Sequence, residues 1–192
     1  MPKIMAPTVK EHHAQRRQAL LDAAKESLLN PSIRSVNFEA VGPRAGLRRN
    51  SVYLYFPSEN HLALELAEDV LPGYQEQLVA AMKRHREPRE QITGYAKAIV
   101  SPDARLAHEV LRNLENRDRT PEIAAKVKEY YVELSRPIVE PLKALKMTDP
   151  ETTAVLLFTM LSSTQDVTEK VVDAKAGPRR ALAIVDMIVP KG

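Results

Sequence analysis

The sequence predicts an all-α protein with a three-helix N-terminal head, a linking helix and a larger C-terminal helical body. Apolar residues recur three or four positions apart through most of the chain, and prolines stand at the breaks between these periodic segments. Near the N-terminus two short segments flank a tight turn at Ala45-Gly46-Leu47, which is typical of a helix-turn-helix. We therefore predict a head at 1–56, a linking helix at 57–72 and a body at 73–192.

The first predicted helix, 11–29, follows an arm at 1–10 that lacks apolar periodicity and carries two prolines. Apolar residues spaced four apart give this helix one buried face, namely Leu20, Ala24 and Leu28. The helix ends at Asn30-Pro31, because proline cannot continue a helix and restricts the residue before it.

The helix-turn-helix is built from local signals in the sequence. Asn37 is a good N-cap for a short second helix, and Gly46 supplies the left-handed position that ends it. We predict the third helix at 48–56. Pro57 breaks it, and Ser58 caps a fourth helix that continues to about Leu71.

Beyond the head, Pro72-Gly73 marks the predicted domain junction, and every later segment again has helical spacing. Each of these segments begins at or near a proline, where the missing N–H is harmless. The prolines at 137 and 141 fall inside one segment and should kink or split it. The predicted segments are 74–86, 89–100, 103–116, 121–146, 150–174 and 178–189.

The composition predicts a soluble cytoplasmic protein without metal or disulfide chemistry. The chain has 192 residues, of which 44% are hydrophobic and 28% charged, and it has no cysteine. Disulfides and cysteine-ligated metal sites are therefore excluded. There is no signal-peptide pattern and no apolar run long enough to cross a membrane. We expect no cofactor, and the adjacent His12 and His13 would diverge on a helix rather than share a metal.

The charge is distributed unevenly along the chain. Residues 1–50 contain nine lysines or arginines and four acidic residues, a net charge of +5, whereas the remaining 142 residues sum to −2. A basic end on a slightly acidic body is typical of a module that meets phosphate, although an ordinary basic surface would give the same count.

The predicted third helix carries the types of side chain that contact phosphates and base edges in complexes of proteins with DNA. Arg49, Asn50 and Ser51 are the candidates for reading bases, since arginine can bridge both acceptors of guanine and asparagine can do the same for adenine. Each such pair is worth about 1–3 kcal/mol of discrimination. The alternatives are a solvated polar face and tyrosine rings that only pack on the first helix. The predicted DNA-binding residues are Arg17, Arg44, Arg48, Arg49, Asn50, Ser51, Tyr53 and Tyr55.

At these positions the sequence resembles the TetR family of transcriptional regulators, and the match in motif detail covers about residues 14–65. The residues that carry the resemblance are Arg17, Leu20, Leu21, Ala23, Ala24, Asn37, Val41, Ala45, Gly46, Leu47, Ser51, Val52, Tyr53, Tyr55, Phe56, Ser58 and Leu62. The rest of the chain agrees in length and helical pattern.

The resemblance implies a homodimer that binds a palindromic operator on double-stranded DNA and is released by a small-molecule inducer held in the body. It also implies that Arg48, Arg49, Asn50, Ser51 and Tyr53 face the groove, and that Tyr55 lies at a backbone contact. Inducer binding would displace the fourth helix, which we expect to be the only link between body and head. His61, Leu64 and Glu68 lie along this helix and could take part in the displacement, although a role in packing alone would also account for them.

Three residues depart from the pattern of the family. Arg48 stands where a Ser or Thr usually caps the third helix, a loss of about 0.5–2 kcal/mol. Glu59 replaces a lysine that would contact phosphate, although an acidic residue suits a helix N-terminus. Pro43 removes one hydrogen bond within the second helix, which we therefore expect to be short or distorted.

The body supplies candidates for a ligand site and for a dimer interface. Polar and aromatic residues in mid-helix among apolar neighbours could line a pocket, although each also fits a core or surface role; they are Tyr95, His108, Arg112, Tyr130, Phe158, Ser162 and Gln165. The last two helices are apolar enough to bury a second face against a twin chain. The predicted interface residues are Val155, Leu156, Met160, Val167, Leu182, Val185 and Ile188.

Our prediction from the sequence is a homodimeric repressor released from its operator by a ligand. An activator with the same head, or an interaction protein that kept the fold without binding DNA, are the alternatives. We expect no enzymatic activity, because the sequence has no nucleophile elbow, phosphate loop or metal-ligand cluster.

Overall fold

The computed structural model describes residues 9–30, 36–117, 120–171 and 176–189, without the side chains of residues 9 and 165–171. Within these ranges all regular structure is helical, which confirms the predicted all-α fold. The residues 1–8 of the predicted arm and the side chains of Gln165 and Val167 lie outside this description. The helices are α1 Val9–Leu29, α2 Phe38–Arg44, α3 Arg49–Val52, α4 Glu59–Lys83, α5 Pro88–Ile99, α6 Arg105–Glu115, α7 Pro121–Ser135, α8 Val139–Ala144, α9 Pro150–Val171 and α10 Gly177–Ile188.

The head consists of α1, α2 and α3 around a small apolar core. Leu20, Ala24 and Leu28 of α1 are buried as their spacing predicted, and they share the core with Val41 and Phe56. The helix α2 has only seven residues and contains Pro43, so it is short, as expected. The helix α3 is shorter than the predicted 48–56, because hydrogen-bonded turns replace helix between Val52 and Phe56.

The fourth helix differs most from its prediction. It does not end near Leu71 but continues through Pro72 and Gly73 to Lys83. Leu71 and Tyr74, on either side of the Pro-Gly pair, are buried, whereas Pro72 and Gly73 are exposed. Packing of the apolar face therefore holds the helix together although Pro72 removes one backbone hydrogen bond.

The body is a helical bundle around α5. The helix α4 packs on α5 and α6, and α10 packs on α9 and α5. The predicted segment 121–146 is split by a single 3-10 turn at Arg136–Ile138, where Pro137 lies, and α8 follows. Among the described residues, no helix combines the length and the apolar character that crossing a bilayer requires.

Candidate nucleic-acid interface

The turn between α2 and α3 is closed by backbone hydrogen bonds at a glycine in the left-handed region. Gly46 has φ +70°. Its N–H donates to the carbonyl of Pro43 (3.1 Å), and the N–H of Leu47 donates to the carbonyl of Gly42 (2.8 Å). This pair of bonds is the Schellman arrangement, which satisfies the last carbonyls of α2 and turns the chain sharply into α3.

The helix α2 is also fixed at its N-terminus. Asn37 caps it, with the side-chain oxygen accepting from the N–H of Ala40 at 2.8 Å. A carboxylate oxygen of Glu59 accepts from the N–H of Phe38 at 2.9 Å. Glu59 therefore stabilises the helix-turn-helix from the first turn of α4, because a negative charge is favourable at a helix N-terminus.

The two helices of the motif approach each other closely at Gly42. A Cβ atom built there would lie 3.1 Å from the carbonyl oxygen of Leu47 and 3.2 Å from a methyl group of Val52. Gly42 itself is buried. The absence of a side chain at this position therefore allows the crossing of α2 and α3.

The exposed face of α3 carries the polar side chains that the sequence singled out. Arg48, Arg49 and Asn50 are exposed and Ser51 is half-buried, and none of them makes a side-chain hydrogen bond to a described residue. Arg48 occupies the N-cap position without capping the helix, as expected from its side chain. The structure thus gathers these four residues on one short helix with their donors directed away from the core.

Two tyrosines and a leucine extend this face beyond α3. The Tyr53 ring packs edge-on against Phe38, with centroids 4.9 Å apart, while 52% of Tyr53 remains exposed. Tyr55 is half-buried and its ring lies 4.7 Å from that of His13. Leu54 is 74% exposed. Leu54 was not among the predicted contacts, because an apolar side chain has no charge or hydrogen-bonding group that would mark it as one.

The predicted contacts from α1 and α2 are engaged within the protein. Arg17 forms an ion pair with Glu65 of α4, and its guanidinium lies 5.2 Å from the centroid of the Phe56 ring. Arg16 donates to the carbonyl of Ala45 at 3.3 Å, at the end of α2. Arg44 donates to the carbonyl of Ala40 within its own helix at 2.8 Å. For Arg17 and Arg44, contact with DNA remains a prediction.

A second connection between body and head corrects the expectation that the fourth helix is the only link. The side-chain oxygen of Asn113 in α6 accepts from the N–H of Val36 at 3.1 Å, and Arg117 donates to the carbonyl of the same residue. Arg117 also donates to the side-chain oxygen of Asn60 in α4 at 3.3 Å. Both backbone groups of the residue before the Asn37 cap are therefore held from the body.

This connection is largely desolvated. Asn113 is 5% exposed, and burial lowers the pKa of the Arg117 guanidinium, against the opposing effect of the Glu59 carboxylate. Nδ2 of Asn113 and Nε of Arg117 are buried and have no hydrogen-bond partner among the described residues. The connection was not predicted, because Val36 lies 77 residues from Asn113 and no local pattern indicates such a contact.

The residues predicted to bind a ligand are dispersed through the body. Tyr95 is fully buried, and its hydroxyl donates to the carbonyl of Leu134 at 3.0 Å. The His108 ring nitrogen Nε2 lies 3.1 Å from the Tyr74 hydroxyl and 3.1 Å from the carbonyl of Ile99. Burial lowers the pKa of His108 to about 4, so its ring is neutral near pH 7.

The other ligand candidates have separate environments. Arg112 forms an ion pair with Glu109 at 3.2 Å. Phe158 is buried edge-on against Tyr131, and the Ser162 hydroxyl is buried without a hydrogen-bond partner in the described part of the chain. Tyr130 is 7% exposed and lines a small cavity between α4 and α7. The structure therefore does not assemble these residues into one pocket.

A large cleft of about 1210 Å³ opens between α7, α8 and α9 and reaches the end of α6. Its walls include Val155 and Leu156, which the sequence assigned to a dimer interface, and none of the predicted ligand residues. Leu156, Met160 and Leu182 are exposed. Met187 is also exposed (80%), although it was not among the predicted interface residues. Ile188 is half-buried, whereas Val185 packs in the core of the chain itself and has no surface left for a partner.

No family model matches the sequence, and neither does any curated protein. Solved structures with the same fold are numerous. A putative TetR-family transcriptional regulator from Rhodococcus sp. aligns with a TM-score of 0.68 at 16% identity, over 92% of this chain and 100% of that one.

Two further solved structures show the same architecture. SmeT, described as the repressor of the Stenotrophomonas maltophilia multidrug efflux pump SmeDEF, aligns with a TM-score of 0.60 at 19% identity, over 92% of this chain and 91% of its own. A protein described as the superantigen PfiT aligns with a TM-score of 0.66 at 15% identity, over 92% and 97%. The helix-turn-helix head and the helical body together give this chain the fold of the TetR-family transcriptional regulators.

Proposed function

We propose that the protein is a sequence-specific DNA-binding transcriptional regulator, and we assign it no catalytic activity. The observation that carries the proposal is the exposed polar face of α3, which stands on a rigid turn at the surface of the head. A helix presented in this way fits the major groove, where base edges differ in their pattern of donors and acceptors.

Within this face the side chains have separate roles. Arg49 and Asn50 read base edges, because their forked donors and acceptors match guanine and adenine respectively. Arg48 and Tyr53 contact phosphates and set the register of the helix on the duplex. The exposed Leu54 side chain offers an apolar contact of the kind that thymine methyl groups make with proteins.

The protein acts as a homodimer on a palindromic site. Support comes from the apolar side chains that α9 and α10 leave exposed, since Leu156, Met160 and Met187 are large and lie near the α7–α9 cleft or on the adjoining helix. Several large apolar side chains left exposed on adjoining helices are more than a single scattered hydrophobic residue and favour an interaction surface. Two heads about 34–36 Å apart would enter successive major grooves on one side of the duplex.

A small molecule bound in the body releases the protein from DNA by moving the head. The coupling runs through α4, which is continuous from head to body, and through Asn113 and Arg117 on Val36. Release requires that the ligand bind the DNA-incompetent arrangement better, by about 1–3 kcal/mol in typical cases. SmeT, which shares the fold, is described as a repressor and is also solved in complex with triclosan.

The proposal is tested by selecting binding sites from a pool of random duplexes with the purified protein. A regulator of this kind enriches a palindrome whose half-sites lie one helical turn apart. Fluorescence anisotropy on the enriched duplex should then show a loss of affinity of about 5- to 150-fold for Arg49→Ala, whereas Arg86→Ala, which removes an exposed arginine of the body, should bind like the wild type.

Two results would contradict the proposal. Enrichment of no sequence, with weak binding to every duplex, would leave an interaction protein that kept the fold. Equal binding by wild type and Arg49→Ala would remove α3 as the reading element. A reporter gene under the enriched site then separates repression from activation, because deletion of the regulator raises expression in the first case and lowers it in the second.

A further inference from the structure

The helix α3 is too short to keep its own position on the head. It has only four residues, and Arg48 stands at its N-cap without a side-chain hydrogen bond to its backbone. A helix of this length depends on tertiary contacts for its stability. The helix α2 packs against it at its buried residue, Val52. The direction of α3 therefore also depends on what holds the chain immediately before and after it.

His13 of α1 holds the chain just after α3. Its ring nitrogen Nε2 lies 3.4 Å from the carbonyl oxygen of Leu54, to which it donates, although 41 positions separate the two residues. The same ring stacks against the ring of Tyr55, with centroids 4.7 Å apart. The hydrogen bond is long, and the ring contact adds to it. Together they attach the segment between α3 and α4 to α1.

Arg16, one turn further along α1, holds the chain just before α3. Its Nη1 donates to the carbonyl of Ala45 at 3.3 Å, and the same nitrogen would lie 3.8 Å from a Cβ atom built at Gly46. Ala45 is the C-cap of α2. Basic side chains commonly bond to the last carbonyls of a helix. Arg16 therefore lies against the left-handed turn that sets the angle between α2 and α3.

The helix that carries these two side chains is itself fixed in the head. The two positions are three residues apart, so they share one face of α1. On the same helix, Leu20 lies fully buried in the core of the head. Arg17 pairs with Glu65 of α4, and Lys25 pairs with Asp69 at 2.6 Å. A well-anchored helix therefore supports α3 at both of its ends.

We propose that His13 and Arg16 are positioning residues, which hold α3 at the angle at which it reads DNA and thereby set how well the protein discriminates its operator from other duplexes. This inference rests on the proposed function. Base readout needs hydrogen bonds of a set length and direction, whereas phosphate contacts carry no sequence information. Loss of the support therefore weakens binding to the operator and leaves binding to other DNA nearly unchanged.

A direct contact with phosphate is the competing role for both side chains, because they belong to the basic end of the chain. The two roles differ in their dependence on salt. Loss of a phosphate contact weakens binding to every sequence and lowers the slope of log affinity against log salt by about 1. Loss of a positioning residue changes neither. The contacts of both side chains with backbone carbonyls beside α3 favour the positioning role.

The first measurement is made on the full-length protein without DNA. Amide hydrogen exchange is followed by NMR for the wild type, His13→Ala and Arg16→Ala. The N–H of Tyr55, which closes the turn after α3, should exchange about three- to tenfold faster in His13→Ala. The N–H of Leu47, which closes the turn before α3, should do the same in Arg16→Ala. His12→Ala, at the adjacent exposed position of α1, should match the wild type at both amides.

The second measurement is fluorescence anisotropy at several salt concentrations, on the duplex enriched by selection and on a scrambled duplex of the same length. His13→Ala and Arg16→Ala should each bind the enriched duplex about three- to tenfold more weakly and keep the salt slope of the wild type. Lys10→Ala, which removes an exposed positive charge of α1, controls for charge. Neither positioning variant should weaken binding to the scrambled duplex more than Lys10→Ala does.

Three results would overturn the proposal. Equal weakening on both duplexes, with a lower salt slope, would make His13 and Arg16 phosphate contacts. Unchanged affinity of both variants for the enriched duplex would remove any role in reading DNA, and unchanged amide exchange would show that the two side chains do not hold α3. A wild type that enriches no duplex would instead refute the proposed function, and the exchange measurement would still decide whether α1 supports α3.

Discussion

The buried histidine of α6 should make the stability of the protein depend on pH. His108 is 6% exposed, and burial lowers its pKa from 6.5 to about 4. The groups that face it are the Tyr74 hydroxyl from α4, the Ile99 carbonyl from α5 and, on its own helix, the Arg112 guanidinium. None of these is an anion that would stabilise an imidazolium.

The direction in which stability changes with pH follows from the number of protons that each state binds. Between the two pKa values the unfolded chain binds a proton at His108 that the folded chain does not, so stability falls as the pH falls. This contribution is fully present above pH 6.5. With a pKa of about 4 in the folded state, about 2 kcal/mol of unfolding free energy is lost at pH 5 and about 3 kcal/mol at pH 4.

The assay is urea denaturation, followed by circular dichroism, at several pH values from 7.5 to 4.5. Other groups also titrate in this range, so the quantity of interest is the difference between the wild type and His108→Gln, whose side chain is polar but does not titrate. The variant should lose about 2 kcal/mol less than the wild type between pH 7.5 and pH 5. His12→Gln, at an exposed position of α1, should behave like the wild type. Parallel pH profiles for the wild type and His108→Gln would refute the reasoning.

Three further predictions concern the head, the helix α4 and the attachment of the head to the body. Gly42→Ala should destabilise the head by about 1–3 kcal/mol, because the new methyl group lies 3.1 Å from the Leu47 carbonyl oxygen. Gly73→Ala, where nothing lies within 4 Å of the added Cβ, should instead stabilise α4 by about 0.5–1 kcal/mol. Thermal unfolding measures both variants: the midpoint should fall for Gly42→Ala and rise for Gly73→Ala. Asn113→Ala should cost about 1–3 kcal/mol and increase hydrogen exchange at the Val36 amide, whose buried N–H loses its acceptor. Unchanged protection of that amide would contradict the second connection.

Local chemistry explains why much of the head could be predicted. The Asn37 cap, the left-handed Gly46 and the short α2 each depend on a few neighbouring residues, and each is observed as expected. The exposed residues of α3 follow from the same turn. These features need no knowledge of the rest of the fold.

Features that depend on distant partners could not be predicted. The continuation of α4 through Pro72 reflects the burial of Leu71 and Tyr74 against other helices, which outweighs the local signal of a Pro-Gly pair. Arg17 was predicted to contact DNA from its charge and position. Its ion pair with Glu65 and its contact with the Phe56 ring could not be predicted, because both partners lie far away in the sequence. Mid-helix position alone likewise could not separate Tyr95, which bonds inside the core, from Tyr130, which lines a cavity.

The central claim is that the exposed face of α3 reads DNA, and fluorescence anisotropy at two salt concentrations tests it most directly. The comparison uses DNA from just upstream of the protein's own gene, a scrambled duplex, and the double variant Arg49→Ala, Tyr53→Ala. Our account predicts tight binding to the native duplex alone, weakened by salt because phosphate contacts release counterions, and lost in the double variant. Equal affinity of the wild type and the double variant for that duplex would contradict it.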